Sequence, residues 1–452
     1  MTLFSDSVRE AFARIRDPNG VGSKTFIRFF EKQALATANA WDQLASAGAP
    51  LPVMAGLPVS IKDLFDVEGS VTTAGSVALK HENPAIGDAP VVARLRAAGA
   101  VIIGTTNMTE FALGGQGLNS HYGTPPNPFD RATGRIPGGS SSGAAVSVTD
   151  NMSAIGIGSD TAGSVRVPAA LCGIVGFKPT ARRLPLAGVV PLSPTLDSVG
   201  PLAGTVELCA LADAVLAGEE PKAPLPVSLV GLRLAVPQTV VLDDLDALVA
   251  ASFSRALTTL SKAGATIVEI AFPELGELAA ANARGTFAVI EGYAWHRDLL
   301  QRKRDLYDPK VAARFSNGEK FSAADYIALR RIQAALIESS RRATEVYDAV
   351  IMPTVPITAS PIAELENDYQ HYLLVGRTVV RNTLIANFLD RCALTVPCHE
   401  PGTAPVGLMI MGETMADRRV LSIGLSIKSE IDRAWPSGGQ GWAGPPSPGT
   451  GL

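Results

Sequence analysis

The sequence predicts an α/β fold kept as one large unit. Three observations carry that expectation. Helical stretches alternate with short apolar runs, as where Ala89–Ala98 is followed by Val101-Ile102-Ile103-Gly104, the rhythm of crossover units. The chain has 452 residues, 46% hydrophobic and 18% charged, which is ample apolar material for a sizeable core. The stretch from Arg135 to Pro168 is dominated by Gly, Ser, Ala and Thr, yet it embeds Ile155-Gly156-Ile157-Gly158. Flexible linkers seldom contain such strand material, so the stretch reads as a tightly packed site.

Taken in order, Asp6–Ser46 carries helix formers with Phe26, Phe29, Phe30 and Leu35 at helical spacing. It reads as an N-terminal helical segment within residues 1–50. Pro52–Ile61 reads as a strand broken by Gly56 and Pro58, with Lys62 where the apolar run ends. Ala89–Ala98 is a short helix that Gly99 terminates. Asn107–Leu113 resembles another helix, running into Gly114-Gly115-Gln116-Gly117. Leu232–Pro237 and Thr266–Ile270 read as strands around an amphipathic helix, Leu245–Lys262. Glu274–Tyr347 is largely helical and more charged, a candidate lid over the core. Tyr347–Pro356, Ala393–Cys398 and Val406–Met411 finish the core of a main unit spanning 51–435. The last segment, 436–452, is rich in Gly, Pro and Ser and is expected to be a disordered tail. There is no internal repeat.

Composition narrows the function. The net charge is −4 and no basic stripe stands out, so no nucleic-acid partner is expected. Cys172, Cys209, Cys392 and Cys398 form no CxxC pair, and the five histidines form no HExxH pair. Cys392, Cys398 and His399 lie close enough to suggest a metal site, but buried thiols in a reducing cytoplasm are the better reading. No metal and no cofactor are expected. MTLFSDSVRE lacks a basic region followed by an apolar one, so no signal peptide is expected. No uninterrupted apolar run reaches about 18 residues, so no membrane span is expected either. These features predict a soluble, cytoplasmic chain, with homo-oligomerisation left open.

Three segments carry chemistry: Val59-Ser60-Ile61-Lys62-Asp63, Gly138-Gly139-Ser140-Ser141-Ser142-Gly143, and Gly158-Ser159-Asp160-Thr161-Ala162-Gly163-Ser164-Val165-Arg166. Glycines let backbone N–H groups approach a phosphate or an oxyanion equally well. A phosphate loop would need Gly-Lys-Ser/Thr at its end, which neither glycine-rich segment has. A GxSxG nucleophile elbow needs a histidine base and different spacing.

Together the segments resemble the amidase signature family. Further blocks agree: Asn107-Met108-Thr109-Glu110-Phe111-Ala112, Cys172 through Thr180, Asp197-Ser198-Val199-Gly200-Pro201-Leu202 and Pro405-Val406-Gly407-Leu408. The similarity runs from about Leu51 to Gly412. It implies a single domain with a central mixed β-sheet covered by helices on both faces. It also implies hydrolysis of a small-molecule amide.

By position, the resemblance makes Ser164 the nucleophile, Ser140 a bridging serine after a cis peptide bond, and Lys62 the base. Serine is a poor nucleophile until a base takes its proton. Lysine can be that base only when neutral, and an ordinary lysine, with pKa about 10.4, is charged at pH 7. Burial disfavours the ammonium; lowering the pKa by about three units corresponds to roughly 4 kcal/mol.

The backbone N–H groups of Thr161, Ala162, Gly163 and Ser164 resemble the family's oxyanion hole. Gly114, Gly115 and Gln116 would line the acyl pocket. Asp160 and Arg166 would hold the nucleophile loop, and Ser141 would make structural hydrogen bonds. Ala162 and Ser142 stand where the family usually has glycine; Ala162 keeps its N–H and serves if its φ is negative. Asp390-Arg391-Cys392 replaces a turn common in the family and bears either on the pocket wall or on structure alone.

Two other functions compete. A glutaminase-type amidotransferase subunit belongs to the same family, and would require a partner protein and glutamine. A binding protein with a relic site would not be acylated at Ser164 by a serine-directed probe.

Overall fold

The computed structural model describes residues 3–283 and 285–435. In β-strands successive side chains point to opposite faces, and here both faces are apolar. Ile102 packs in one cluster while Val101 and Ile103 pack in another. Leu408 and Ile410 face the first cluster, whereas Met409 and Met411 face a third. Strands of this kind must be covered twice. The helices Pro90–Ala97, Val206–Ala217, Ala247–Lys262 and Asp417–Ala434 cover one side. Phe4–Arg16, Glu31–Ser46, Ser142–Thr149, Arg166–Cys172 and Ala323–Thr344 cover the other.

Among the described residues the strands are β1 (Phe26–Phe29), β2 (Pro58–Lys62), β3 (Val101–Thr106), β4 (Ile155–Asp160), β5 (Val175–Lys178), β6 (Ser198–Ala203), β7 (Arg233–Pro237), β8 (Thr266–Ile270), β9 (Ala349–Pro353), β10 (Ala393–Pro397) and β11 (Gly407–Met411). They form one 11-stranded sheet in the order β1-β3-β2-β4-β6-β5-β10-β11-β9-β7-β8. The sheet is mixed: β2 runs parallel to β3 and β4, while β4 runs antiparallel to β6.

Three local expectations change. Phe26–Phe29 is an edge strand paired antiparallel with β3, not part of a helix, so residues 1–50 contribute to the same sheet. Its aromatic and β-branched residues favour a strand once a partner edge is present, whatever their spacing. The strand expected from Pro52 begins only at Pro58, because the chain turns through Gly56 at φ +76°. Asn107–Leu113 holds only a short 3₁₀ turn, Glu110–Ala112. Phe111 and Ala112 have φ of 50° and 60°, outside the right-handed helical region.

The 274–347 region contains the helices Glu274–Ala283, Phe287–Lys303, Pro309–Ser316 and Ala323–Thr344. The tail expected at 436–452 lies outside the described residues. No helix among the described residues is long and apolar enough to cross a membrane.

Candidate active site

β2 and β4 lie side by side, with Val59 opposite Ile155 and Ile61 opposite Ile157. Their parallel course brings Lys62 and Ser159-Asp160 to the same edge of the sheet. That C-terminal edge is where open α/β sheets place their sites. The helix Ser142–Thr149 packs closely on these strands, and the small residues permit it: a Cβ on Gly156 would lie 2.7 Å from the Ala144 carbonyl oxygen. The close approach carries Ser140 and Ser141, just before that helix, down to the strand ends. The Gly139–Ser140 peptide bond is cis.

Lys62 is fully buried. Its Nζ lies 2.7 Å from Ser140 Oγ and 2.8 Å from Ser159 Oγ. Burial lowers its pKa to about 7, against the opposing pull of the Asp160 and Asp197 carboxylates. Near neutral pH the amine is therefore partly uncharged, with a lone pair that can accept the Ser140 proton while Ser159 still receives a hydrogen bond.

Asp160 organises the loop that follows β4. Its Oδ1 accepts from the Gly163 N–H at 2.8 Å, and its Oδ2 from the Val165 N–H at 3.1 Å. Arg166 closes on it with Nε at 3.0 Å from Oδ2 and Nη2 at 2.9 Å from Oδ1. Burial pushes Asp160 up, but Arg166, together with Lys178 and Asn387, outweighs it and holds the carboxyl well below the usual carboxylate range. The pair is fully buried, so it is no solvated surface ion pair. Replacing Arg166 by Met leaves an uncompensated buried carboxylate. Such a loss costs about 3–5 kcal/mol, so the denaturant midpoint should fall clearly; an unchanged midpoint would show that the pair does not hold the loop.

Ser164 is buried at the floor of a cavity of about 750 Å³, which Thr161 and Ala162 also line. Among the described residues its Oγ has no hydrogen-bond partner. The backbone N–H groups of Thr161, Ala162 and Ser164 likewise have none among them. The Gly163 N–H, included in the expected oxyanion hole, is instead committed to Asp160 and leaves the donor set. Gly163 has φ +126°, and a Cβ there would fall 2.1 Å from Thr383 Oγ1, so this position requires glycine. Ala162 is not among the positive-φ residues and accommodates its methyl group.

Gly114, Gly115 and Gln116 line the same cavity. The Gly115 carbonyl accepts the Gly139 N–H at 2.7 Å, tying this loop to the Ser140 turn. The Gln116 amide donates to the Tyr372 carbonyl at 2.8 Å. The Ser141 N–H donates to the Ser164 carbonyl at 3.2 Å, and its hydroxyl to the Ser159 carbonyl at 3.3 Å. Asp390-Arg391-Cys392 does not line the cavity; Arg391 is buried and pairs with Glu413 at 2.7 Å.

Sequence reasoning missed several supporting groups. Asp197 accepts from Thr161 Oγ1 at 2.5 Å and from the Leu192 and Ser193 N–H groups, each at 3.0 Å; burial raises its pKa to about 6. Asn387 donates to Asp160 Oδ1 at 3.0 Å, and Thr383 Oγ1 donates to the Ala162 carbonyl at 2.7 Å. Ser159 and Asp197 lie inside the motif blocks and were findable there. Asn387 and Thr383 come from a distant segment with no local signal. Among the described residues no group of His, Cys, Asp or Glu is placed to hold a metal, and all four cysteines are free and buried.

A buried lysine bonded to Ser140 and Ser159, with Ser164 open to a cavity beside unpaired N–H groups, defines a site of the acyl-transfer class on an α/β sheet. The chain belongs to the amidase signature family: the Amidase family model matches residues 6–421. It is accordingly a hydrolase of amide-type C–N bonds. It is 38% identical over 403 residues to 2-amino-5-chloromuconic acid deaminase of Comamonas testosteroni, covering 88% of this chain and 87% of that protein. It is 32% identical to a glutamyl-tRNA(Gln) amidotransferase subunit of Salinispora arenicola, covering 90% of each. A crystal structure of an amidase matches with a TM-score of 0.85 at 29% identity, covering 95% of this chain and 96% of that one.

Proposed function

We propose that the chain hydrolyses carboxamides through an acyl-enzyme on Ser164, with Ser140 and neutral Lys62 as the proton relay. The observation that carries this reading is the fully buried Lys62 amine 2.7 Å from Ser140 Oγ, on a turn whose next residue, Ser141, bonds the Ser164 carbonyl, while Ser164 itself lines the cavity. Lys62 takes the Ser140 proton as Ser140 takes that of Ser164. The freed Ser164 oxygen attacks the carbonyl carbon. The oxyanion is met by the N–H groups of Thr161, Ala162 and Ser164; removing one such donor typically costs about 100- to 1000-fold in rate. The relay then runs backwards, protonating the departing amine as the C–N bond breaks. Water enters by the same base and releases the acid. The Ser164–Ser140 hydrogen bond forms as substrate docks, since catalytic hydrogen bonds often tighten only in the substrate complex.

Esters, anilides and carbamates also present an attackable carbonyl and are candidate substrates. The helical region 274–347 supplies one cavity wall through Thr286, Val289 and Phe321, and serves as its cover. Four buried free thiols fit a reducing, cytoplasmic setting.

The test is a hydrolysis panel of primary amides, anilides, esters and carbamates, with acid and amine release followed separately. Turnover on amides is expected; its absence on every compound would contradict the reading. The likeness to the amidotransferase protein of Salinispora arenicola favours a second reading, a glutaminase-type component of a larger enzyme. Glutamine hydrolysis that appears only with a partner protein would establish it.

The pH dependence follows from Lys62. The base must be unprotonated, and its pKa is about 7. Below that value kcat/KM should fall about tenfold per pH unit, as for a single essential base. A flat profile between pH 5 and 7 would remove Lys62 from the role.

A further inference from the structure

Among the described residues that line the Ser164 cavity, the charged ones are Arg314 and Arg377, and none is Asp or Glu. Arg314 is half-buried, donates through Nη1 to the Leu113 carbonyl at 2.8 Å, and also meets the Tyr372 hydroxyl. A guanidinium has five N–H donors, so these contacts leave most of the fork unused. Among the described residues neither arginine has a carboxylate partner, and Arg377 makes no side-chain hydrogen bond. Asp308, at the start of the Arg314 helix, is engaged in capping the Lys310 N–H at 2.7 Å. Lys310 Nζ lies 4.5 Å over the ring of Tyr372, a further cavity-lining residue, adding positive charge to the same side.

Much of the remaining lining is apolar, including Leu192, Leu196, Phe321, Val380, Leu384 and Phe388, beside the neutral polar Asn282, Thr286 and Asn317. Two guanidiniums on the wall of such a cavity have no built-in counter-ion there, and planar carboxylates match their forks. We propose that Arg314 and Arg377 bind a carboxylate carried by the substrate. The substrate class is then a monoamide of a dicarboxylic acid, with an apolar spacer between the carbonyl attacked by Ser164 and the carboxylate. This inference rests on the amidase reading for its orientation, but the charge selectivity is measurable without turnover.

The experiment compares adipamic acid with adipamide, which replaces the carboxylate by a neutral group of similar shape. In wild type, kcat/KM should favour the acid about a hundredfold, tenfold for each arginine. Arg377→Gln, at an exposed position without a carboxylate partner, should cut that preference about tenfold, the scale of one charge-assisted hydrogen bond. Arg314→Gln should do the same, and the double variant should bring the ratio close to one. A wild-type ratio near one, or a ratio unchanged in the variants, overturns the proposal. Calorimetry of adipate against adipamide with the Ser164→Ala protein gives a second readout. Tighter adipate binding that both arginine substitutions abolish supports the clamp even if no amide is cleaved, an outcome that would remove the amidase reading alone. Equal binding of the two compounds overturns the clamp whatever the turnover.

Discussion

Ser164→Ala should reduce amide turnover about 10⁶-fold in kcat, the scale seen when the serine of a triad is removed. Ser164 Oγ has no hydrogen-bond partner among the described residues, so its loss breaks no contact with them. The loop that carries it is held instead by Asp160, whose carboxylate accepts the Gly163 and Val165 N–H groups. The N–H groups of Thr161, Ala162 and residue 164 survive the change. Substrate binding should therefore persist while chemistry stops, and the unfolding midpoint should stay within error of wild type. A variant that retains measurable turnover would move the nucleophile elsewhere.

Lys62→Met should cost about 10⁴-fold in kcat, the upper range for a positioned general base. Lys62→Arg should be equally inactive, because a guanidinium stays protonated in proteins. Stability separates this loss from misfolding. The Lys62 pKa falls from 10.5 to about 7 in the folded protein. Between those values the unfolded chain binds more protons at this site than the native state does. Native stability therefore rises with pH across that window. The Met variant should lack this rise while remaining folded. Unfolding free energies between pH 7 and 10 check it; an unchanged pH dependence would mean that Lys62 is not the group titrating.

The segments of the proposed site were legible because each chemical group lies within a short, ordered block. Lys62 ends an apolar strand, Ser140 follows a glycine pair, and Asp160 through Arg166 contain both the proposed nucleophile and the pair that holds its loop. Burial of the Arg135–Pro168 stretch was equally legible, since a strand cannot sit inside a linker. What escaped was set by tertiary structure. Phe26–Phe29 has helical spacing only by coincidence, and the exposed edge of β3 decides its state. Asn107–Leu113 has helix-forming residues, but Phe111 and Ala112 turn left-handed. The assignment of Gly163 to the oxyanion hole failed because a side chain three residues away, Asp160, captures its N–H. Asn387 and Thr383 reach the loop from far along the chain, and no local pattern announces such contacts.

Covalent chemistry at Ser164 is open to direct test by trapping the acyl-enzyme. Enzyme mixed with a slowly deacylated aryl ester and quenched in acid would be digested and mapped by mass spectrometry. The account predicts one acyl group per chain, on the peptide that contains Ser164, absent from Ser164→Ala and strongly reduced in Lys62→Met. An adduct on Ser140 or another residue, or turnover with no adduct, would contradict it.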